Sequence, residues 1–444
     1  MQPARRAQLV LAIGFVGILA GVPVGQVGLE LSRGRRVQFA DLFRYAPSER
    51  NLRRFERTLE AEWWGSRTVR PWTRAALVRL FDDLGARGLA GRDGWVFYRP
   101  GVRYLVEAGA AAPEGRRAGA GASRGRREAA VAAIVRFGDQ LRGRGLRLLV
   151  VPVPGKASVY PDRLTRRAAG RHAALRSPTE DVLAALGRYG VETVDLFALF
   201  RARREQADGG GELYLATDTH WTPAGAAVAA EAVARKLRQL GWAPEPKRTY
   251  RTRRVRVARR GDILEMLRAG GLAKPPPEQV VACEQVLDEA AGLMVPDGSG
   301  PAGAYANHHL KDTPLESTVL VLGDSFCRIY QTREPRSLGR VVAGAGAGPV
   351  SRAGRRSGTK RLLPGSAGFC SLVARALRAP ADYIVSDGGA ATDVRRRLCT
   401  NPAILDNKKV VVWQFAEREL HLGADGWQDV PLPPSAASAG AGAR

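Results

Sequence analysis

Two short stretches hold the residue types needed for acyl transfer. The first is Gly323-Asp324-Ser325-Phe326, directly after the apolar run Val319-Leu320-Val321-Leu322. That run, with two β-branched residues, reads as a short buried strand, and Gly323 breaks it. A serine at such a strand end can sit on a sharp turn with its Oγ exposed and backbone N–H groups nearby to hold an oxyanion. The plain alternative is a turn with an N-capping serine. The second stretch, well upstream, is Thr217-Asp218-Thr219-His220-Trp221-Thr222-Pro223. Thr222 is a good helix N-cap and Pro223 suits the first helical position, so Asp218 and His220 lie on a loop entering a helix. Two residues apart in a turn, a carboxylate can reach the imidazole Nδ1–H and leave Nε2 to face a serine. That is the base-and-orienter half of a Ser-His-Asp triad. The alternative is a local turn aspartate beside a packed ring. Of the five histidines, His220 alone has an aspartate two positions away and a helix start behind it.

Helix and strand signals alternate around these stretches. Apolar residues at helical spacing run from Glu128 to Leu141. Leu146 to Val153 is a nearly continuous apolar strand, which Pro152 and Pro154 end. A helix is expected over Thr179–Tyr189, a strand over Val191–Leu196, and a helix after Pro223 towards Leu240. Later come a helix over Ser371–Arg378 and strands at Tyr383–Asp387 and Val410–Phe415. Strands that read as apolar throughout and alternate with helices predict a mainly parallel α/β sheet covered on both faces. Open sheets of this kind carry their sites at the strand C-termini.

Other regions are less regular. Arg5 and Arg6 precede an apolar run, Leu9 to Val24, which predicts a signal anchor or signal peptide over residues 1–26. An uncleaved anchor is preferred to a cleaved signal, with a buried core helix as the other option. Residues 27–89 read as a membrane-proximal helical segment. Gly94-Trp95-Val96-Phe97-Tyr98 signals a strand. Ala108–Arg127 is Gly/Ala/Arg-rich and reads as a loop. Residues 242–318 read as an irregular insertion, with an arginine run at Arg251–Arg260. Gly339–Gly368 reads as a Gly-rich loop, and residues 426–444 as a disordered tail.

The net charge is +26. A charge of that size favours polyanionic partners, but arginine far exceeds lysine beside abundant alanine and glycine, a mixture that coding bias alone can produce. The arginines are dispersed, not set in a stripe with interleaved aromatics, which argues against a nucleic-acid partner. The cysteines at 283, 327, 370 and 399 include no C-x-x-C pair, so zinc and thioredoxin-like readings fail and no metal is expected.

Taken together, the two stretches resemble the SGNH-hydrolase-like domain of the alginate O-acetyltransferase family, cell-envelope enzymes that acetylate exopolysaccharides. Further pieces are similar in the same order: Gly94-Trp95-Val96-Phe97, Val151-Pro152-Val153-Pro154-Gly155-Lys156 with Tyr160-Pro161, Gly261-Asp262-Ile263-Leu264-Glu265-Met266-Leu267, and Val411 to Leu420. The resemblance implies a three-layer SGNH-like domain over residues 90–425, with no cofactor. It implies that Ser325 is the nucleophile, His220 the base and then the acid, and Asp218 its orienter. Oxyanion donors would be the Ser325 amide, a glycine such as Gly365, or Asn307. Tyr330 would line the pocket or belong to the core. The acceptor would be a polysaccharide and the acetyl donor a membrane-bound O-acyltransferase, at the periplasmic or extracytoplasmic face of the inner membrane. A carbohydrate acetyl esterase uses the same triad, and a silent polysaccharide-binding envelope protein would keep only the fold. Gly155 stands where the family usually has a polar residue, and no C-terminal carbohydrate-binding module is apparent.

Overall fold

The computed structural model describes residues 3–37, 84–85, 87–108, 117–170, 176–206, 211–267, 276–289, 317–332, 339–342, 365–387 and 389–433, with scattered positions between 40 and 72. The chain divides into two units, Met1–Asp83 with Gly270–Ala273, and Leu84–Ala269 with Lys274–Arg444. The first unit holds helix α1, Pro3–Ser32, with Pro23 inside it. Among the described residues no helix is long and apolar enough to cross a membrane. No such span therefore supports the signal anchor expected over residues 1–26. Gly14, Gly17, Gly21 and Gly25 dilute the apolar run, and Gln26 and Glu30 follow it on the same helix.

The second unit starts earlier than expected. Strand β1, Gly88–Ala90, pairs antiparallel with β2, Val96–Tyr98. Helices α2, Arg99–Ala108, and α3, Arg117–Arg142, follow. The loop expected up to Arg127 is thus helical from Arg117, because alanine and arginine are strong helix formers and outweigh the interspersed glycines. Next come β3, Arg147–Val153, helix α4, Thr179–Arg188, the two-residue β4, Glu192–Thr193, and helix α5, Leu196–Glu205. Helix α6, Pro223–Gln239, starts where Thr222 and Pro223 predict, with Thr222 Oγ1 accepting from the Gly225 N–H.

The expected irregular insertion contains two long strands. Strand β5, Tyr250–Arg259, pairs antiparallel along its whole length with β6, Gln279–Asp288. Exposed arginine and threonine positions hide the apolar alternation, which surfaces only at Val255 and Val257. Strand β7 is Val319–Gly323, and β8, Gly339–Val342, adds to the other edge of β5. The start of the expected Gly-rich loop is therefore a strand, and residues 343–364 lie outside the described set. Short helix α7, Ser325–Arg328, precedes β8 in sequence, and helix α8, Phe369–Leu377, follows it. Strand β9, Asp382–Val385, helix α9, Asp393–Thr400, and strand β10, Val410–Ala416, complete the order.

The main sheet runs β4-β3-β10-β7-β9, and every neighbouring pair is parallel. Side chains alternate between two cores. Leu149, Val151, Val319, Val321, Val410 and Val412 face one cluster, with α5, α6 and α8. Leu148, Val150, Leu320, Leu322, Val411 and Trp413 face the other, with α3, α4 and α9. This is the three-layer α/β arrangement the apolar runs predict. Pro152 sits within β3, not after it. β4 pairs only as far as Val150, so at Pro152 the missing N–H faces no ladder on that side. Part of the expected disordered tail also belongs to the core. Trp427 is only 2% exposed. It packs on Trp413 and Phe415 and donates Nε1–H to Glu419 O at 2.8 Å.

Candidate active site

The C-terminal ends of β3, β7 and β10 meet at one edge of the sheet. From β7 the chain passes through Gly323 into Asp324, whose carboxylate caps α7 by accepting the Phe326 N–H at 2.8 Å. A side chain at Gly323 would strike Gln414 Oε1 at 2.8 Å, so the turn needs a bare α-carbon there. Asp324 also accepts from Gln414 Nε2 at 3.0 Å and from the Ala416 N–H at 2.8 Å. The turn is thereby clamped to β10, and Ser325 stands at the first position of α7. A first-turn N–H has no partner within its own helix, so the Ser325 amide is free of intrahelical bonding.

The opposing wall is the turn 213–222. Its ends are tied by Leu215 N–H to His220 O at 3.1 Å and Thr222 N–H to Leu213 O at 2.9 Å. The Asp218 carboxylate accepts the His220 N–H at 3.1 Å and lies 2.6 Å from His220 Nδ1. His220 Nε2 is 2.8 Å from Ser325 Oγ, across 105 positions of sequence. With the Nδ1 proton on the carboxylate side, Nε2 is the acceptor for the Ser325 hydroxyl. Phe326 packs its ring edge-on to His220 at 4.9 Å and to Trp221 at 5.1 Å, which fixes the plane of the imidazole.

The electrostatics follow from burial and pairing. Burial alone would push the Asp218 carboxyl up, but the His220 ring and Arg259 outweigh it and hold it below the usual carboxylate range. Burial alone would push His220 down, and the Asp218 and then Asp262 carboxylates outweigh it and raise its pKa above that of an ordinary imidazole. The pairing therefore strengthens His220 as a base.

Two neighbours of this wall carried no assigned role in the sequence. Lys156, buried after β3, donates to the carbonyls of Leu215 at 3.0 Å, Ala216 at 2.9 Å and Asp218 at 2.7 Å. Its ammonium lies over the rings of Phe97 and Trp95. Burial lowers its pKa to about 7. Asp262, after β5, grips Thr219 and lies 3.4 Å from His220 Nδ1. The Pro-x-Pro-x-Lys and Gly-Asp pieces are visible in sequence, but neither shows there that it folds under the histidine turn. Lys156→Met is expected to destabilise the protein by about 3 kcal/mol, because three buried carbonyls lose their donor. Equilibrium denaturation would read this as a lower midpoint with an unchanged slope.

The remaining predicted residues lie elsewhere. Tyr330 is in the core with a positive φ of 62°, and its hydroxyl donates to Trp221 O at 3.3 Å. The Gly365 carbonyl accepts from Gln285 Nε2 at 2.8 Å, and the next two N–H groups are taken by Gln331 O and Tyr330 O. No described contact joins Gly365 to Ser325 or His220. Asn307 lies outside the described residues. A side chain at position 155 is excluded by Glu417, whose Oε1 would sit 2.6 Å from a Cβ there and instead accepts the Gly155 N–H at 2.7 Å. Glu417 also takes the hydroxyls of Ser158, Ser177 and Thr179. The departure from the family pattern at Gly155 thus has a local packing reason.

Beside the turn, a small cavity of about 30 Å³ is lined by Tyr98, Lys156, Thr219, Glu417 and Arg418 among others. A wider groove of about 830 Å³ lies between α3 and α4, and none of Asp218, His220 and Ser325 lines it. The oxygen and nitrogen donors of Asp218, His220 and Asp262 lie within 4.8 Å of one another, close enough for a cation. All three are already engaged: His220 Nδ1 with Asp218, and Asp262 with Thr219. A metal there would have to break the contact that orients the ring.

Comparison with known proteins points to a family of acetyltransferases. Residues 89–340 match the SGNH hydrolase-like domain, acetyltransferase AlgX. The probable alginate O-acetylase AlgJ of Pseudomonas aeruginosa is 30% identical over 220 residues, 48% of this chain and 50% of that one. AlgJ of Pseudomonas putida is 29% identical over 237 residues, 52% of this chain and 53% of that one. The chain thus spans about half the length of these curated relatives. Among solved structures, the O-acetyltransferase domain of Pseudomonas putida AlgJ superposes with a TM-score of 0.50 at 21% identity, over 80% of this chain and 95% of that one, which speaks for the fold alone. With more than half of its length matched, and with the parallel sheet in place, the chain belongs to the SGNH hydrolase-like acetyltransferase AlgX family.

Proposed function

We propose that this protein is an O-acetyltransferase that moves acetyl groups onto a polysaccharide through an acetyl-Ser325 intermediate. The observation that carries the reading is the hydrogen-bonded series Asp218–His220–Ser325, at 2.6 and 2.8 Å. His220 Nε2 takes the Ser325 proton as Oγ attacks the acetyl carbonyl. The ring then returns that proton to the departing group. In the second half, His220 removes a proton from a sugar hydroxyl, which takes the acetyl group and frees Ser325. The Ser325 N–H, free of intrahelical bonding, serves as one oxyanion donor. Asp218 keeps the Nδ1 proton in place and stabilises the imidazolium, without itself being protonated.

Family membership and the alginate O-acetylase relatives support transfer to a polysaccharide over hydrolysis. The acceptor is an exported or cell-envelope glycan, which a basic chain suits. The donor is a membrane-bound acyltransferase that passes acetyl groups outward, and the work is done on the outer side of the cytoplasmic membrane. The test uses the purified full chain with an activated acetyl ester and an acidic oligosaccharide. Rapid quenching and peptide mass analysis are expected to find the acetyl increment on the peptide that holds Ser325, and acetylated oligosaccharide among the products. Acetate alone, with no acetylated sugar, would reassign the protein as an esterase. A covalent acetyl group on any other residue would remove the mechanism.

A further inference from the structure

We propose that Asp262 is a positioning residue for His220: it grips the turn that carries the imidazole and sets a second carboxylate beside it. The proposal rests on the reading of Ser325 as the acetylated nucleophile. Its warrant is a set of contacts to three consecutive residues. The Asp262 carboxylate accepts the Thr219 N–H at 2.6 Å through Oδ1 and the Thr219 hydroxyl at 2.6 Å through Oδ2. The Asp262 N–H donates to Asp218 Oδ2 at 3.1 Å. Asp262 Oδ2 lies 3.4 Å from His220 Nδ1. One residue therefore holds the orienting carboxylate, the residue between, and the ring itself.

The chain is shaped to deliver it there. Gly261 has φ of 89°, and a Cβ on it would lie 2.3 Å from Thr217 O. Only glycine lets β5 end this close to the turn. Thr217 Oγ1 donates to Arg260 O at 3.1 Å and closes the same junction. Lys156 holds the carbonyls of the turn at Leu215, Ala216 and Asp218, but it does not reach the Thr219 or His220 side chains. Bound also from β5, the turn cannot rotate without breaking contacts on both sides.

The second carboxylate has a chemical consequence. When His220 accepts the Ser325 proton the ring becomes a cation. A carboxylate at 3.4 Å stabilises that cation in addition to Asp218 at 2.6 Å. The basic groups facing the pair are Arg259, whose Nη2 is 3.7 Å from Asp218 Oδ2, Arg418 towards His220, and Lys156 beneath the turn, whose lowered pKa of about 7 makes it titrate in the same range. They offset part of the negative charge and let two carboxylates share the site. Burial, and then the Asp218 carboxylate, push the Asp262 carboxyl up to about 6, so its charge is present at neutral pH.

The test is the pH profile of kcat/KM for hydrolysis of an activated acetyl ester. His220 must be neutral to act as base, so the rate falls as pH drops through its pKa. Asp262→Asn keeps the shape and the Thr219 acceptor but removes the charge. The His220 pKa then falls, and the acid limb is expected to move to lower pH by about half to one unit. Asp262→Glu keeps a carboxylate and is expected to leave the limb where it is. Thr219→Val removes the hydroxyl's bond to Asp262 Oδ2 and its 3.2 Å contact with His220 Nδ1, but no charge, so it should lower the plateau and move the limb far less than Asp262→Asn does. An Asn variant of native thermal stability with an unmoved limb would overturn the proposal, as would a Glu variant whose limb moves as far as that of Asn. Hydrolysis that survives Ser325→Ala would instead overturn the reading of Ser325, whatever the limb does.

Discussion

Ser325→Ala should lower acetyl-ester turnover by about ten-thousandfold or more, while the protein melts at nearly the same temperature. The size follows from the loss of the covalent route: triads act as a unit, and removing the nucleophile leaves only binding and oxyanion stabilisation. The lack of a stability effect follows from where the turn gets its support. Asp324, not Ser325, caps α7, and Asp324 is held by Gln414 and Ala416. Alanine is a good residue at the start of a helix, and the side-chain bond lost is the one to His220 Nε2. Turnover and calorimetry on the same preparation test both halves. A variant that keeps a tenth of the activity would place the chemistry on another residue.

Asp218→Asn is expected to cost about as much, near ten-thousandfold at neutral pH, by a different route. The new side chain would present either an oxygen or an amide to the histidine turn. Both the His220 N–H and Nδ1 face the same oxygen, Oδ1, while Oδ2 accepts the Asp262 N–H. With three donors converging on it, an amide must turn its NH₂ towards at least one of them. Directed at Nδ1, it favours the tautomer with the proton on Nε2, and that ring cannot accept from Ser325. The charge that stabilises the imidazolium is lost as well. The acylated enzyme should then form slowly, with substrate binding little changed, so kcat falls and KM does not. A large rise in KM with kcat preserved would mean that Asp218 serves binding and not the histidine.

How much of this is legible in the sequence depends on whether the signal is local. The serine turn and the histidine loop each announce themselves within about ten residues: an apolar run broken by glycine, and an N-cap followed by proline. The family resemblance joins them, and the structure brings Ser325 Oγ to His220 Nε2. Strands buried on both faces, such as β3, β7 and β10, are legible because little that is polar interrupts them. β5 is not, because its outward arginines mask a pattern that only its partners β6 and β8 make sense of. Lys156 and Asp262 stand in pieces that resemble the family, but their roles are hidden for a related reason. Their types and neighbours are ordinary in sequence, and their meaning comes from backbone atoms of a turn 43 to 62 positions away. The segment after Asp425 reads as tail because it is rich in proline further on, yet Trp427 fills a gap between Trp413 and Phe415.

The strand order has a consequence for how the molecule comes into being. β10, the last of the five in sequence, occupies the middle of the sheet, between β3 and β7. Without it, β3 and β7 lack the strand that pairs with both of them, and Asp324 has neither Gln414 nor Ala416 to grip. A chain that stops short of β10 is therefore expected to leave Ser325 on a turn that is not clamped to that strand. On the proposed mechanism, chains terminated before the closing strand should be inert.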